Sequence, residues 1–201
     1  MNRRISLSLY LSLAFLIVSA ANGTLLAGDL EAYHRDRQRI TRTGMTVLGS
    51  WAAGNFAVSG IMLGSAEGQE KYFHIMNIGW NGVNALIAGS SLYSTSTEDT
   101  TEMDLSQSIQ GHHAFERALF LNIGLDAAWI MTGLYMVEKS EGSRDRDMLK
   151  GFGYSLILQG GFLMVFDIAL YSFLHRRGSV LYDLCGRMRV TSNSIYFIQR
   201  F

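Results

Sequence analysis

The sequence predicts an all-α protein, an antiparallel four-helix transmembrane bundle, and three observations carry that prediction. Charged residues are absent from Thr43 to Ala66 and from Tyr72 to Thr97. From Ala118 to Val137 the single charge is Asp126, and from Gly151 to Leu174 it is Asp167. Each run reaches the ~20 residues that cross a hydrocarbon core of about 30 Å. Four such runs in 201 residues leave too little polar surface to solvate a water-soluble fold.

The first element is a leader. Met1-Asn2-Arg3-Arg4 is a basic opening, Ile5 to Val18 an apolar core, and Val18-Ser19-Ala20 a small-residue cleavage site. Residues 1–21 therefore read as a secretory signal peptide and 22–201 as the four-span domain. Its spans lie at about 43–66, 72–93, 117–137 and 151–174, with an interfacial helix over 29–42 and a tail over 175–201. Asp29 is a candidate cap for the arginine-rich interfacial helix, which reads as solvated or facing headgroups.

The leader and the charge distribution disagree about orientation. Cleavage leaves both mature termini outside the cytoplasmic membrane. The termini side, however, holds Arg35, Arg37, Arg39, Arg42, Arg117, Arg176, Arg177, Arg187, Arg189 and Arg200, against Lys71, Lys139, Arg144, Arg146 and Lys150 opposite. That bias places the termini inside. The leader is the more local signal and is preferred.

Spans one and two are joined by Glu67-Gly68-Gln69-Glu70-Lys71, a turn short enough to make them antiparallel neighbours. Span one carries small residues at Gly49, Ala53, Ala57, Gly60 and Gly64, a candidate close-packing face. Ser94 to Thr101 is a Ser/Thr-rich linker. From Asp104 the spacing of Leu105, Ile109, His112/His113 and Glu116 predicts a helix that enters span three, and the charged loop Glu138 to Lys150 reads as solvated. The tail alternates weakly through Ile195, Phe197, Gln199 and Phe201, in the manner of a strand.

The candidate site is polar and lies at membrane depth. On span two, His74, Asn77, Asn81, Asn84, Ala88 and Ser91 recur at intervals of three and four and so share one helical stripe. Span one adds Asn55, span three Asn122 and Asp126, and span four Gln159 and Asp167. Polar groups facing lipid are costly, about 2.5–3.5 kcal/mol for a central charge, so all are expected to point inward. Two readings compete. The amides are interhelical glue, with the aspartates neutral or bonded to Asn, Trp80 or Trp129. Alternatively, two carboxyls among amides form a site that binds or conducts a proton, cation or small polar solute.

Several classes are disfavoured. Zero formal net charge argues against a nucleic-acid partner. The lone Cys185 excludes an intramolecular disulfide and a cysteine-based metal site. With no proline to break a helix, a large alternating-access transporter is disfavoured. His34, His112, His113 and His175 fall near one interface and His74 near the other, without diagnostic spacing, so a haem- or quinone-binding redox subunit is the third reading and neither cofactor nor metal is expected. No catalytic fingerprint occurs in its required context, and the chain reads as non-enzymatic.

Gly44-Met45, Leu48-Gly49, Trp51-Ala52 and Asn55 resemble the first span of a family of small, uncharacterised bacterial membrane proteins. Tyr72-Phe73-His74, Met76-Asn77, Trp80-Asn81 and Asn84 are similar to its second span. Asn122, Gly124-Leu125-Asp126 and Gly133-Leu134-Tyr135 are similar to its third, and Gln159-Gly160-Gly161-Phe162 with Asp167 to its fourth. The resemblance implies an exported N-terminus and a multi-pass protein of the bacterial inner membrane, and it supplies no activity. The lipid bilayer is the expected partner, with a homo-oligomer or a membrane complex as the assembly.

Overall fold

The computed structural model describes the backbone of residues 2–98, 103–191 and 194–197, and the side chains of 27–98 and 103–187. The side chains of the expected leader (1–21), part of the Ser/Thr-rich linker (99–102) and the side chains of the end of the tail (188–201) lie outside the described residues. Four helices follow in order: α1 Asn2–Met62, α2 Gly68–Thr97, α3 Leu105–Ser140 and α4 Arg146–Arg187. A short antiparallel hairpin, β1 Met188–Thr191 with β2 Ser194–Phe197, closes the described chain.

Local chemistry sets these boundaries. Glu67 is extended ahead of α2, and Gly68 takes φ +53°, a left-handed value that glycine adopts without steric cost. Asp104 caps α3 through a capping box: its carboxylate accepts from the Gln107 N–H at 2.7 Å, and the Gln107 side chain accepts from the Asp104 N–H at 3.2 Å. Nothing interrupts α1, so Asp29 is not a cap. It sits inside a 61-residue helix and pairs with Arg187 at 3.0 Å. Helix α4 likewise continues past residue 175, where the tail was expected to begin, as far as Arg187.

The four helices form a bundle in which α4 packs against the other three. Two close approaches occur on α4, one at Gly151 against the Gln69 carbonyl of α2 and one against α3. A Cβ at Gly133 would lie 2.6 Å from the Gly153 carbonyl oxygen, and one at Gly153 would lie 2.7 Å from that of Gly133. Any larger residue would force the backbones apart, so the contact is built from two glycines. The expected small-residue face of α1 is not the packing face. Gly49 is half-buried beside Ala88, but Ala53, Ala57, Gly60 and Gly64 are exposed, while Ala52 and Ser59 are fully buried. Helix α1 is rotated to turn Met45, Leu48 and Ala52 inward, because these bury more apolar area than the small stripe would.

Met45, Leu48, Ala88, Leu119, Leu170 and Leu174 form an apolar core near the level where α1 leaves its arginine-rich stretch. Beyond it α1, α3 and α4 continue together as a three-helix extension. Asp36 pairs there with Arg177 at 3.1 Å and Arg37 with Glu98. The segment expected as a free interfacial helix is therefore docked on its neighbours.

Deeper in the bundle the usual distribution is inverted. Asn81 and Gln159 are 0% exposed, whereas Ile61, Leu86, Phe120 and Val165 are 70–78% exposed. Two helices, α3 and α4, are long and apolar enough to cross a membrane by length and composition.

Candidate functional site

Helix periodicity brings the α2 stripe to the bundle interior. His74, Asn77, Asn81, Asn84 and Ala88 are all buried. Opposite them, α1 supplies Trp51, Asn55 and Ser59, and α4 supplies Ser155 and Gln159. Asn77 is the hub. Its Nδ2 donates to Asn55 Oδ1 at 2.8 Å and to Ser59 Oγ at 3.2 Å. Its Oδ1 accepts from Gln159 Nε2 at 2.6 Å and from Ser155 Oγ at 3.1 Å. A carboxamide offers two N–H donors and two lone pairs, so Asn77 is fully satisfied.

Gln159 completes the layer. Its Oε1 accepts from Trp51 Nε1 at 2.9 Å, while the Trp51 ring stacks on Phe162 at 3.9 Å. The His74 ring shares a bond with Ser59 at 3.2 Å. Asn81 turns back to donate to the Asn77 carbonyl oxygen at 2.8 Å, and Asn84 donates to Asn81 Oδ1 at 3.5 Å. The layer joins α1, α2 and α4 through hydrogen bonds made by every member. Buried polar groups are costly only when unpaired, so this arrangement holds three helices in one register.

The carboxyls occupy a separate place, between α3 and α4. Asp126 and Asp167 are buried and close enough for each carboxyl to act on the other. Among the described residues neither carboxyl pairs with Lys, Arg or His. Asp126 Oδ2 and Trp80 Nε1 are buried without partners, and Trp80 packs edge-on against Trp129 at 5.0 Å. The expected indole bond to an aspartate is therefore not formed by Trp80. Of the nine predicted residues, Asn122 is exposed and Asn55 half-buried, while the other seven are buried. They divide into an amide layer and an acid pair.

A third constellation lies in the three-helix extension. Glu116 faces three histidines: His175 Nδ1 at 2.7 Å, His113 Nδ1 at 3.3 Å and His112 Nε2 at 3.4 Å. Tyr33 bonds His112 Nδ1 at 3.0 Å, and His34 bonds Ser108 at 3.0 Å. Gly178 gives the His112 ring its room, since a Cβ there would overlap it. Burial lowers the pKa of His34, with Arg37 adding to the shift. His112 is also lowered, first by burial and then, against the opposing pull of Glu116, by His113, His175 and Arg37. Burial pushes the Glu116 carboxyl up, but the His175 bond, the His112 charge and the His113 bond outweigh it and leave the group lowered. Burial pushes the Tyr33 hydroxyl up to about 12.

The sequence placed these histidines near one interface and Glu116 on the same helical stripe as His112, but not their meeting, which depends on α4 bringing His175 alongside. Among the described residues no group of three or more His, Cys, Asp or Glu is arranged to hold a metal ion.

No curated protein and no solved structure matches the chain. One family model matches residues 47–168, a segment containing every residue of the amide layer and both carboxyls, with Tyr33, His34 and His175 outside it. Since that match covers more than half of the chain, the protein belongs to the family of unknown function DUF6992.

Proposed function

We propose that this is a non-enzymatic, multi-pass membrane protein of the bacterial inner membrane, in which all four helices cross the bilayer and the Asp126–Asp167 pair binds a proton. The membrane reading is supported by the inverted distribution of side chains. Isoleucine, leucine, valine and phenylalanine cover the outside, and carboxamides fill the inside. The polar stripe of α2 is buried, so its low apolarity is not presented to lipid.

The proton reading rests on one observation, two buried neighbouring carboxyls with no cation paired to either among the described residues. Two adjacent carboxylates in a low-dielectric site would repel strongly, so the pair takes up and releases its proton as a unit.

Infrared spectroscopy of the protein in membranes tests this. The expected result is a carbonyl band of a protonated carboxylic acid that changes with bulk pH between about 5 and 9 and is lost in both Asp126→Asn and Asp167→Asn. No such band, or one insensitive to pH, would refute proton exchange.

A second reading, a scaffold or assembly subunit, is favoured by the full pairing of the Asn77 amide and the interhelical bonds of Gln159. On that reading both Asp→Asn variants keep the fold and every measurable property of the wild type.

A further inference from the structure

A groove of about 860 Å³ runs along the seam of α1 and α4, and it differs in chemistry from the interior sites. Its walls are apolar, formed by Gly44 and Val47 of α1 and by Phe162, Phe166, Leu170 and Phe173 of α4. Its mouth is charged, with Arg39 and Asp36 on α1 and Arg176 and Arg177 on α4. Asp36 is already engaged by Arg177 at 3.1 Å. Three guanidiniums against one carboxylate leave two positive charges, and among the described residues neither Arg39 nor Arg176 has an ion-pair partner. Val165 and Phe173, both strongly exposed, lie along the groove, which is open sideways to what surrounds the bundle.

We infer that this groove holds an anionic phospholipid, with an acyl chain against Phe166 and Leu170 and the phosphate at Arg39 and Arg176. The inference rests on the membrane reading above. Charge complementarity selects the occupant. A cleft that is apolar along its length and doubly positive at its end matches a molecule with a hydrocarbon chain and a net negative head. Guanidiniums bind phosphate oxygens in bidentate fashion, and basic clefts between membrane helices hold anionic headgroups for this reason. A zwitterionic lipid fills the same walls without answering the charge, and a soluble phosphate answers the charge without filling the walls.

The test uses the full chain, purified in detergent, stripped of lipid and examined by native mass spectrometry. The probes are phosphatidylglycerol, phosphatidylcholine with the same acyl chains, and glycerol phosphate. Phosphatidylglycerol should be retained in preference to phosphatidylcholine, and glycerol phosphate should not be retained. The Arg39→Gln/Arg176→Gln double variant should lose that preference by on the order of tenfold or more. Ala169→Trp, which fills the groove and leaves its arginines in place, should lose both lipids. Arg35→Gln, an exposed position paired with Glu31 outside the groove, should bind as wild type. Equal retention of the two lipids, or an unchanged preference in the double variant, overturns the inference. Partition of the untreated protein into the aqueous phase without detergent instead overturns the membrane reading on which it rests.

Discussion

Replacing Gln159 by leucine keeps most of the side-chain volume and deletes both ends of the carboxamide. In the native bundle that amide is fully buried, accepts from Trp51 Nε1 at 2.9 Å and donates to Asn77 Oδ1 at 2.6 Å. Interhelical hydrogen bonds in membrane proteins contribute about 0.6 kcal/mol on average and up to about 1.7. On the membrane reading, losing the two short bonds costs about 1–3 kcal/mol, and the 3.5 Å bond to Asn55 Oδ1 adds little. The stranded partners do not push the value higher, because Asn77 Oδ1 keeps its bond from Ser155 and Trp51 is only half-buried.

A double-mutant cycle with Trp51→Phe isolates the bond itself. Phenylalanine removes the indole N–H but retains a ring to stack on Phe162. Unfolding in mixed micelles by sodium dodecyl sulfate, followed by helical circular dichroism, measures all four corners of the cycle. The expected coupling is about 0.6–1.7 kcal/mol. Cavity and ring losses reside in the single variants and cancel in the cycle. A coupling of zero would therefore refute the amide layer as an interhelical lock, even if each variant alone were destabilised.

Gly153→Leu should separate α3 from α4, because its first side-chain atom would meet the Gly133 carbonyl oxygen at 2.7 Å. A loss of about 3 kcal/mol or more is expected in the same unfolding assay, while Gly124→Ala, with nothing within 4 Å, should be neutral or stabilising by up to about 1 kcal/mol. Acid should destabilise the extension. His34 and His112 are lowered from 6.5, so the unfolded chain binds protons the folded one refuses, and stability falls as pH drops through about 6.5. Glu116, lowered from 4.5, adds stability that is present above its unfolded value and lost only at still lower pH. The melting temperature of the detergent-solubilised protein should decline from pH 7.5 to about pH 5.5, and the His34→Gln/His112→Gln variant should flatten that decline. An equal slope in both proteins would show that these rings are not its source.

Sequence reading went furthest where the information is local. The spacing of His74, Asn77, Asn81 and Asn84 is a property of one helix, so the shared stripe was legible, and on the membrane reading its burial followed. The Asp104 start of α3 was legible for the same reason, since cap and helix are neighbours in the chain. The α1 small-residue stripe misled because periodicity shows that a face exists without showing which way it turns. Met45, Leu48 and Ala52 compete for the same inward direction, and their larger apolar area prevails.

The chain by itself determined four long helices, their order and the polar character of their interior, because charge-free runs and period-3.6 stripes depend only on covalent neighbours and the cost of burial. Which groups meet was decided by tertiary structure alone. Asn77 collects Asn55, Ser155 and Gln159, Asp126 finds Asp167 across α3 and α4, and Glu116 gathers His175 from a helix 59 positions away. Each pairing depends on the rotation and axial offset of one helix against another. Those are set by contacts such as Gly133 against Gly153, which bring two backbones together only once the whole bundle has packed.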